Sequence, residues 1–185
     1  MWKNAKKIAQ SESVNPFVVE LGALLHDIAD HKFNDGDESI GVSKARKFLE
    51  SLSVEENVID HVEKIMVNIS FKGGNFSQKF SSLELAVVQD ADRLDAIGAI
   101  GIARAFNYGG FKGRELFNPA IHPEIGMTVE QYKKSTAPTI NHFYEKLLLL
   151  KDRMNTEAGR KMAEQRHRFM EQYQKQFFME WDGNY

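Results

Sequence analysis

Apolar positions recur at helical spacing along nearly the whole chain, with no strand-like alternation punctuated by hairpin turns. Asn15-Pro16 predicts an N-cap followed by proline in the first helical turn. Leu21, Leu24, Leu25 and Ile28 follow at i, i+3, i+4 and i+7, predicting a helix from 16 to about His31 with those four facing inward. Val42, Ala45, Phe48, Leu49 and Leu52 form a second stripe. Ser53-Val54-Glu55-Glu56 is a capping-box pattern opening a third helix, with Val58, Val62, Ile65, Met66 and Ile69 inward. A loop from Phe71 to Ser82 carries Gly73-Gly74. Ser81-Ser82-Leu83-Glu84 then offers another capping box, and the run to Phe106 is apolar on nearly every side, which predicts one continuous core helix. Four glycines (109, 110, 113, 126) and two prolines (119, 123) between Asn107 and Ser135 predict a long ordered loop or short-helix insertion. Ile140, Phe143, Leu147 and Leu150 mark one closing helix, and Met162, Arg166, Phe169, Met170, Tyr173 and Phe177 mark another. The expected class is all-α.

With 185 residues the chain suits one domain, read as core helices over 1–107, the insertion over 108–135 and C-terminal helices over 136–185. A hydrophobic fraction of 42% with 27% charged residues supports a packed globule rather than a disordered chain. The balance of 24 basic and 26 acidic side chains gives a net charge of −2, so no global field draws the protein to nucleic acid or to an anionic membrane. The opening residues lack the apolar run of a signal peptide and no stretch approaches the ~20 residues of a membrane span, so the expected location is the cytoplasm. Cysteine is absent, which excludes disulfides and thiolate ligands and leaves His, Asp and Glu for any metal.

That restriction draws attention to His26-Asp27, an imidazole and a carboxylate side by side in a helix of Leu, Ile, Ala and Gly. A helical projection puts Gly22, Ala23, His26, Asp27 and Asp30 on one side, opposite the leucines. Such a face suits either a metal site with a distant partner or plain solvation. Downstream, Asp92 projects beside Leu85, Val88 and Ala96, so its carboxylate is expected to be buried, with Asp95 one turn on in a similar direction and Asp90 pointing away. Two buried carboxylates need a cation, which is either a metal or a pairing side chain such as Arg93 or Arg104. Lys72 with Gly73-Gly74, Lys32 and Arg93 are candidates to bind a phosphate, although a Lys-Gly-Gly loop is more often only a turn. Among the remaining histidines (31, 61, 122, 142 and 167), His122 in the insertion is the candidate proton donor.

Taken in order, His26-Asp27 with Asp30 and Lys32, then Ile69-Ser70-Phe71-Lys72-Gly73-Gly74, then Ala91-Asp92-Arg93-Leu94-Asp95, resemble the HD-domain superfamily of metal-dependent phosphohydrolases, and most closely a branch of small bacterial HD hydrolases. His142-Phe143-Tyr144-Glu145-Lys146-Leu147-Leu148 and Arg166-His167-Arg168-Phe169-Met170 resemble that branch too. The resemblance implies an HD-type helical bundle with a C-terminal helical extension and a divalent ion (Mn, Mg, Fe, Ni or Zn) on His26, Asp27 and Asp92. It further implies Asp30 as the group that orients or deprotonates the attacking water, and a small phosphate ester, nucleotide-like, as substrate. One departure stands out. The superfamily's first ligand histidine sits in an opening helix, and this chain has no histidine before His26. Either that turn lies upstream of Met1, or three protein ligands and water complete the site. Two rival functions remain: a nucleotide- or metal-binding module without turnover, and a helical structural protein whose acids are merely ion-paired.

Overall fold

The computed structural model describes residues 1–28, 39–69 and 80–184. The described residues contain no strand, in keeping with the all-α expectation. The helices are α1 (Trp2–Ala9), α2 (Pro16–Leu25), α3 (Ser39–Ser51), α4 (Glu56–Asn68), α5 (Leu83–Asp95), α6 (Gly98–Phe111), α7 (Val129–Lys134), α8 (Asn141–Glu145) and α9 (Glu157–Trp181), with a 3-10 segment at Leu147–Arg153. The chain forms two compact units, Met1–Asp92 and Arg93–Tyr185, divided within the last turn of α5. No described helix is long and apolar enough to cross a membrane.

In the first unit, α2 packs against α1 and α4. Asn15 caps α2, its Oδ1 accepting from the backbone N–H groups of Phe17 at 3.0 Å and Val18 at 3.4 Å, with Pro16 at the first helical position as expected. The Asn15 backbone N–H donates to Glu84 Oε1 at 2.9 Å, tying the start of α2 to the start of α5. Burial, which raises the Glu84 pKa, is outweighed by this bond and its neighbours, so the carboxyl lies below its ordinary value. Across α3 and α4, the Arg46 guanidinium joins Glu63, Glu56 and Asp60 at 2.6 to 2.8 Å.

Three predicted details differ. The inward face of α2 is not the leucine stripe: Val18, Val19, Gly22, Ala23 and Leu25 are buried, whereas Leu24 is 60% and Ile28 43% exposed. Small residues face inward because they let neighbouring helices approach. The Ser53 capping box does not form, since Ser53 sits at φ 54 and α4 begins at Glu56 without a side-chain cap. Capping of α5 falls instead to Ser82, whose Oγ accepts from the Leu85 N–H at 3.0 Å. Finally, the continuous helix to Phe106 is two helices. Ile97 is extended and Gly98 adopts φ +75, a left-handed conformation that breaks the rod after Asp95.

In the second unit, Arg166 of α9 seals that break. Its Nη1 donates to the Leu94 carbonyl, and its stem lies where a Cβ on Gly98 would intrude at 3.0 Å. The predicted inward residues Ile140, Phe143, Leu147 and Leu150 are all buried, but they are carried by the N-cap of α8, α8 itself and the 3-10 segment rather than by one helix. Phe106, Phe143, Tyr173 and Phe177 pack with ring centroids about 6 Å apart. At the other end of α9, Phe117 meets Trp181 edge-on at 5.3 Å. The segment from 112 to 128 is irregular and leads into the short α7, capped by a reciprocal Thr128 and Gln131 box.

The Tyr132 hydroxyl lies 2.7 Å from His142 Nδ1, a hydrogen bond whose direction follows the ring tautomer. Burial, with Lys146 and Arg114 adding repulsion, pushes His142 down to about 4. A depressed histidine pKa favours the fold above the unfolded value of 6.5, and that contribution drains away as pH falls toward 4. The loss is on the order of 3 kcal/mol. His142→Gln, which cannot take the charge, should therefore lose less stability between pH 7 and pH 4.5 than the unsubstituted protein. Urea unfolding midpoints at the two pH values check this, and equal slopes would show that His142 does not drive the acid sensitivity.

Candidate metal centre

The last turn of α2 delivers His26. Its backbone N–H donates to the Gly22 carbonyl at 3.1 Å, and its ring is only 13% exposed. The ring Nδ1 lies 3.0 Å from the Ala23 carbonyl, and because a carbonyl only accepts, Nδ1 must carry hydrogen. In the neutral ring Nε2 therefore presents a lone pair. That atom stands 3.2 Å from Asp27 Oδ2 and 3.8 Å from Asp92 Oδ1. A lone pair facing two carboxylate oxygens is unfavourable unless a cation joins them. A proton on Nε2 also meets that demand. Burial alone would lower the His26 pKa, but the Asp27 hydrogen bond and the charges of Asp27 and Asp92 prevail and raise it.

The same atoms fit a divalent ion. One imidazole nitrogen and carboxylate oxygens are the donor types for a borderline or hard metal, and the Ala23 bond to the other ring nitrogen is the orienting support that ligand histidines usually have. Separations of 3.2 and 3.8 Å also match two ligand atoms sharing an ion at bonds of roughly 2.0 to 2.3 Å. Among the described residues, no group of three or more His, Asp and Glu side chains is gathered to hold a metal as it stands. Asp27 and Asp92 are 71% and 51% exposed, so packing does not lock their rotamers.

Asp92 is thus not buried as its projection predicted. The face was read correctly, since Leu85 and Val88 on it are fully buried, but α2 ends at Leu25, short of the turn of α5 that carries Asp92. The fully buried acid is Asp90, which the projection had pointed away. Asp95 takes the pairing route, its Oδ2 accepting from Arg104 Nη1 at 2.5 Å. Arg93 Nη1 donates to the Arg153 carbonyl at 2.6 Å. Asp30, Lys32 and Lys72, with His31, lie outside the described residues. His122 is exposed on the irregular segment. Sequence reasoning passed over Ala23, whose carbonyl fixes the His26 ring. Nothing in a side-chain pattern marks a backbone acceptor.

Comparison with known proteins decides the family, because residues 1–97, a stretch that includes His26, Asp27 and Asp92, match the model of the HD domain. The chain belongs to the HD-domain family. An HD-superfamily hydrolase from Bacillus thuringiensis is 45% identical, with a TM-score of 0.77 over 98% of this chain and 82% of its own. The uncharacterized protein YpgQ of Bacillus subtilis is 40% identical over 173 residues, 93% of this chain and 76% of YpgQ. The structure of YpgQ in complex with ADP matches with a TM-score of 0.74 and 36% identity, covering 95% of this chain and 82% of that one. The HD-domain relatives thus include a hydrolase.

Asp92→Asn keeps volume but offers a poorer ligand, and the side chain is half exposed, so the metal-free fold should shift by no more than ~0.5 kcal/mol. Mn²⁺ binding should weaken at least ~10-fold. Asp95→Asn, whose parent carboxylate is engaged by Arg104, should leave Mn²⁺ binding unchanged. Titration calorimetry on the two variants separates these roles, and equal affinities would remove Asp92 from the site.

Proposed function

We propose that this protein is a metal-dependent phosphohydrolase acting on a small phosphate ester, a nucleotide or a molecule like one. The observation that carries the reading is His26 Nε2 standing 3.2 Å from Asp27 Oδ2 and 3.8 Å from Asp92 Oδ1, an arrangement that suits a shared cation. His26, Asp27 and Asp92 would hold the ion. A divalent ion there supplies a lowered pKa for bound water and charge neutralisation at phosphoryl oxygens. Asp30 is assigned to orient or deprotonate the attacking water. Lys32, Lys72 and Arg93 are assigned to the substrate phosphates by their charge. Membership of a family that includes hydrolases supports the reaction class, and ADP bound to YpgQ supports a nucleoside phosphate as the substrate class.

The test is phosphate release from nucleoside mono-, di- and triphosphates and from p-nitrophenyl phosphate with added Mn²⁺, Mg²⁺, Ni²⁺ or Fe²⁺. Release from at least one substrate is expected, abolished by EDTA and reduced at least ~10-fold in Asp92→Asn. Nucleotide binding without release under every metal would instead identify a binding module. Neither binding nor release would leave a structural protein.

A further inference from the structure

Gly22 sits in the middle of α2 on its buried face, a position where glycine weakens a helix and alanine would strengthen it. Space explains the residue. A Cβ on Gly22 would stand 3.1 Å from Ile65 Cγ2 and 3.4 Å from Ile65 Cδ1 on α4, and 3.5 Å from Val88 Cγ2 on α5. Ile65 and Val88 are themselves fully buried, so neither has solvent to yield into.

What this contact controls follows from its position. His26 is four residues after Gly22 on the path of α2, and Asp92 is four residues after Val88 on α5, so each lies one helical turn beyond the contact. At the other end, the Asn15 N–H holds Glu84 Oε1. Asn15 with Glu84, Gly22 with Val88 and His26 with Asp92 are three successive rungs between two helices that run in the same sense. The first rung is a hydrogen bond and the last is the His26 and Asp92 pair. The middle rung has room for a methyl against Val88, so the missing side chain is felt on the other flank of α2, against Ile65 of α4.

We infer that Gly22 is a positioning residue: its bare Cα fixes how closely α2 approaches Ile65 of α4, and thereby where α2 presents His26 Nε2 to Asp92 Oδ1. The consequence for metal affinity rests on the proposed function above, whereas the geometric part does not. Metal–ligand bonds hold to about 0.2 Å, and the shielded His26 ring, unlike the exposed carboxylates, goes where α2 carries it. A wedge of a few tenths of an ångström between α2 and Ile65 is therefore felt at His26, one turn on.

Three proteins test this, each as the full chain: Gly22→Ala, Gly22→Val, and Gly22→Val combined with Ile65→Ala, a swap that returns the lost volume to the other side of the contact. Crystal structures give the His26 to Asp92 separation, and calorimetry gives Mn²⁺ affinity. Gly22→Ala should change the separation and weaken Mn²⁺ binding roughly threefold to tenfold while the protein stays folded. Gly22→Val should go further, and the swap should restore both quantities toward the parent values. A role in stability alone would move the melting temperature and leave the affinity of the folded protein where it was. Parental separation and affinity in Gly22→Ala would overturn the inference even if Gly22→Val fails to fold. A changed separation in a protein that binds no Mn²⁺ before or after substitution would uphold the spacer and refute the metal reading.

Discussion

The site depends on one hydrogen bond that involves no second side chain. The Ala23 carbonyl lies 3.0 Å from His26 Nδ1 and, being only an acceptor, fixes the hydrogen there. Everything about Nε2 then follows. It must present a lone pair when the ring is neutral, and it does so toward Asp27 and Asp92, two groups that carry negative charge at neutral pH. The arrangement is stable only with a cation, and the raised pKa of His26 is the response of the metal-free protein to that demand. A proton and a divalent ion compete for one place.

Helix packing brings the distant carboxylate to that place. The two helices start together at Asn15 and Glu84, pass each other at Gly22 and Val88, and bring His26 and Asp92 together one turn later. Both also stop where the site begins. α2 gives way to a turn at His26, and α5 ends at Asp95, three residues past Asp92, where Ile97 and Gly98 turn the chain. At the break the Leu94 carbonyl accepts from the Ile97 N–H at 3.3 Å and from Arg166 Nη1. The exposure of Asp27 and Asp92 and the partial burial of His26 follow from this placement at helix ends: the ring is shielded while the carboxylates reach solvent, where a charged ligand arrives.

The all-α class, the proline-led cap at Asn15 and the ordered motifs around His26 and Asp92 were legible in the chain, because each is expressed in side-chain type and spacing. The rotation of α2 was not. Apolar counting favours Leu24 and Ile28, which are exposed, over Gly22 and Ala23, which are buried, because a count of hydrophobic side chains gives no weight to the absence of one. The break at Gly98 was hidden for a similar reason, since a glycine among Ala and Ile reads as a tolerated helix residue until its φ is known. Asp92 shows the limit of a projection: it identifies a face, while burial depends on where the covering helix ends. The roles of the acids separated only in three dimensions, with Asp95 held by Arg104 and Asp92 left near His26.

The central claim is that His26, Asp27 and Asp92 share one divalent ion. Anomalous diffraction from crystals grown with Mn²⁺ tests it most directly. The account predicts a single strong anomalous peak within roughly 2.0 to 2.3 Å of His26 Nε2 and of oxygens from both Asp27 and Asp92, with the Nδ1 bond to Ala23 intact. A peak elsewhere in the molecule, or none at saturating Mn²⁺ with His26 Nε2 still bonded to Asp27, would contradict it.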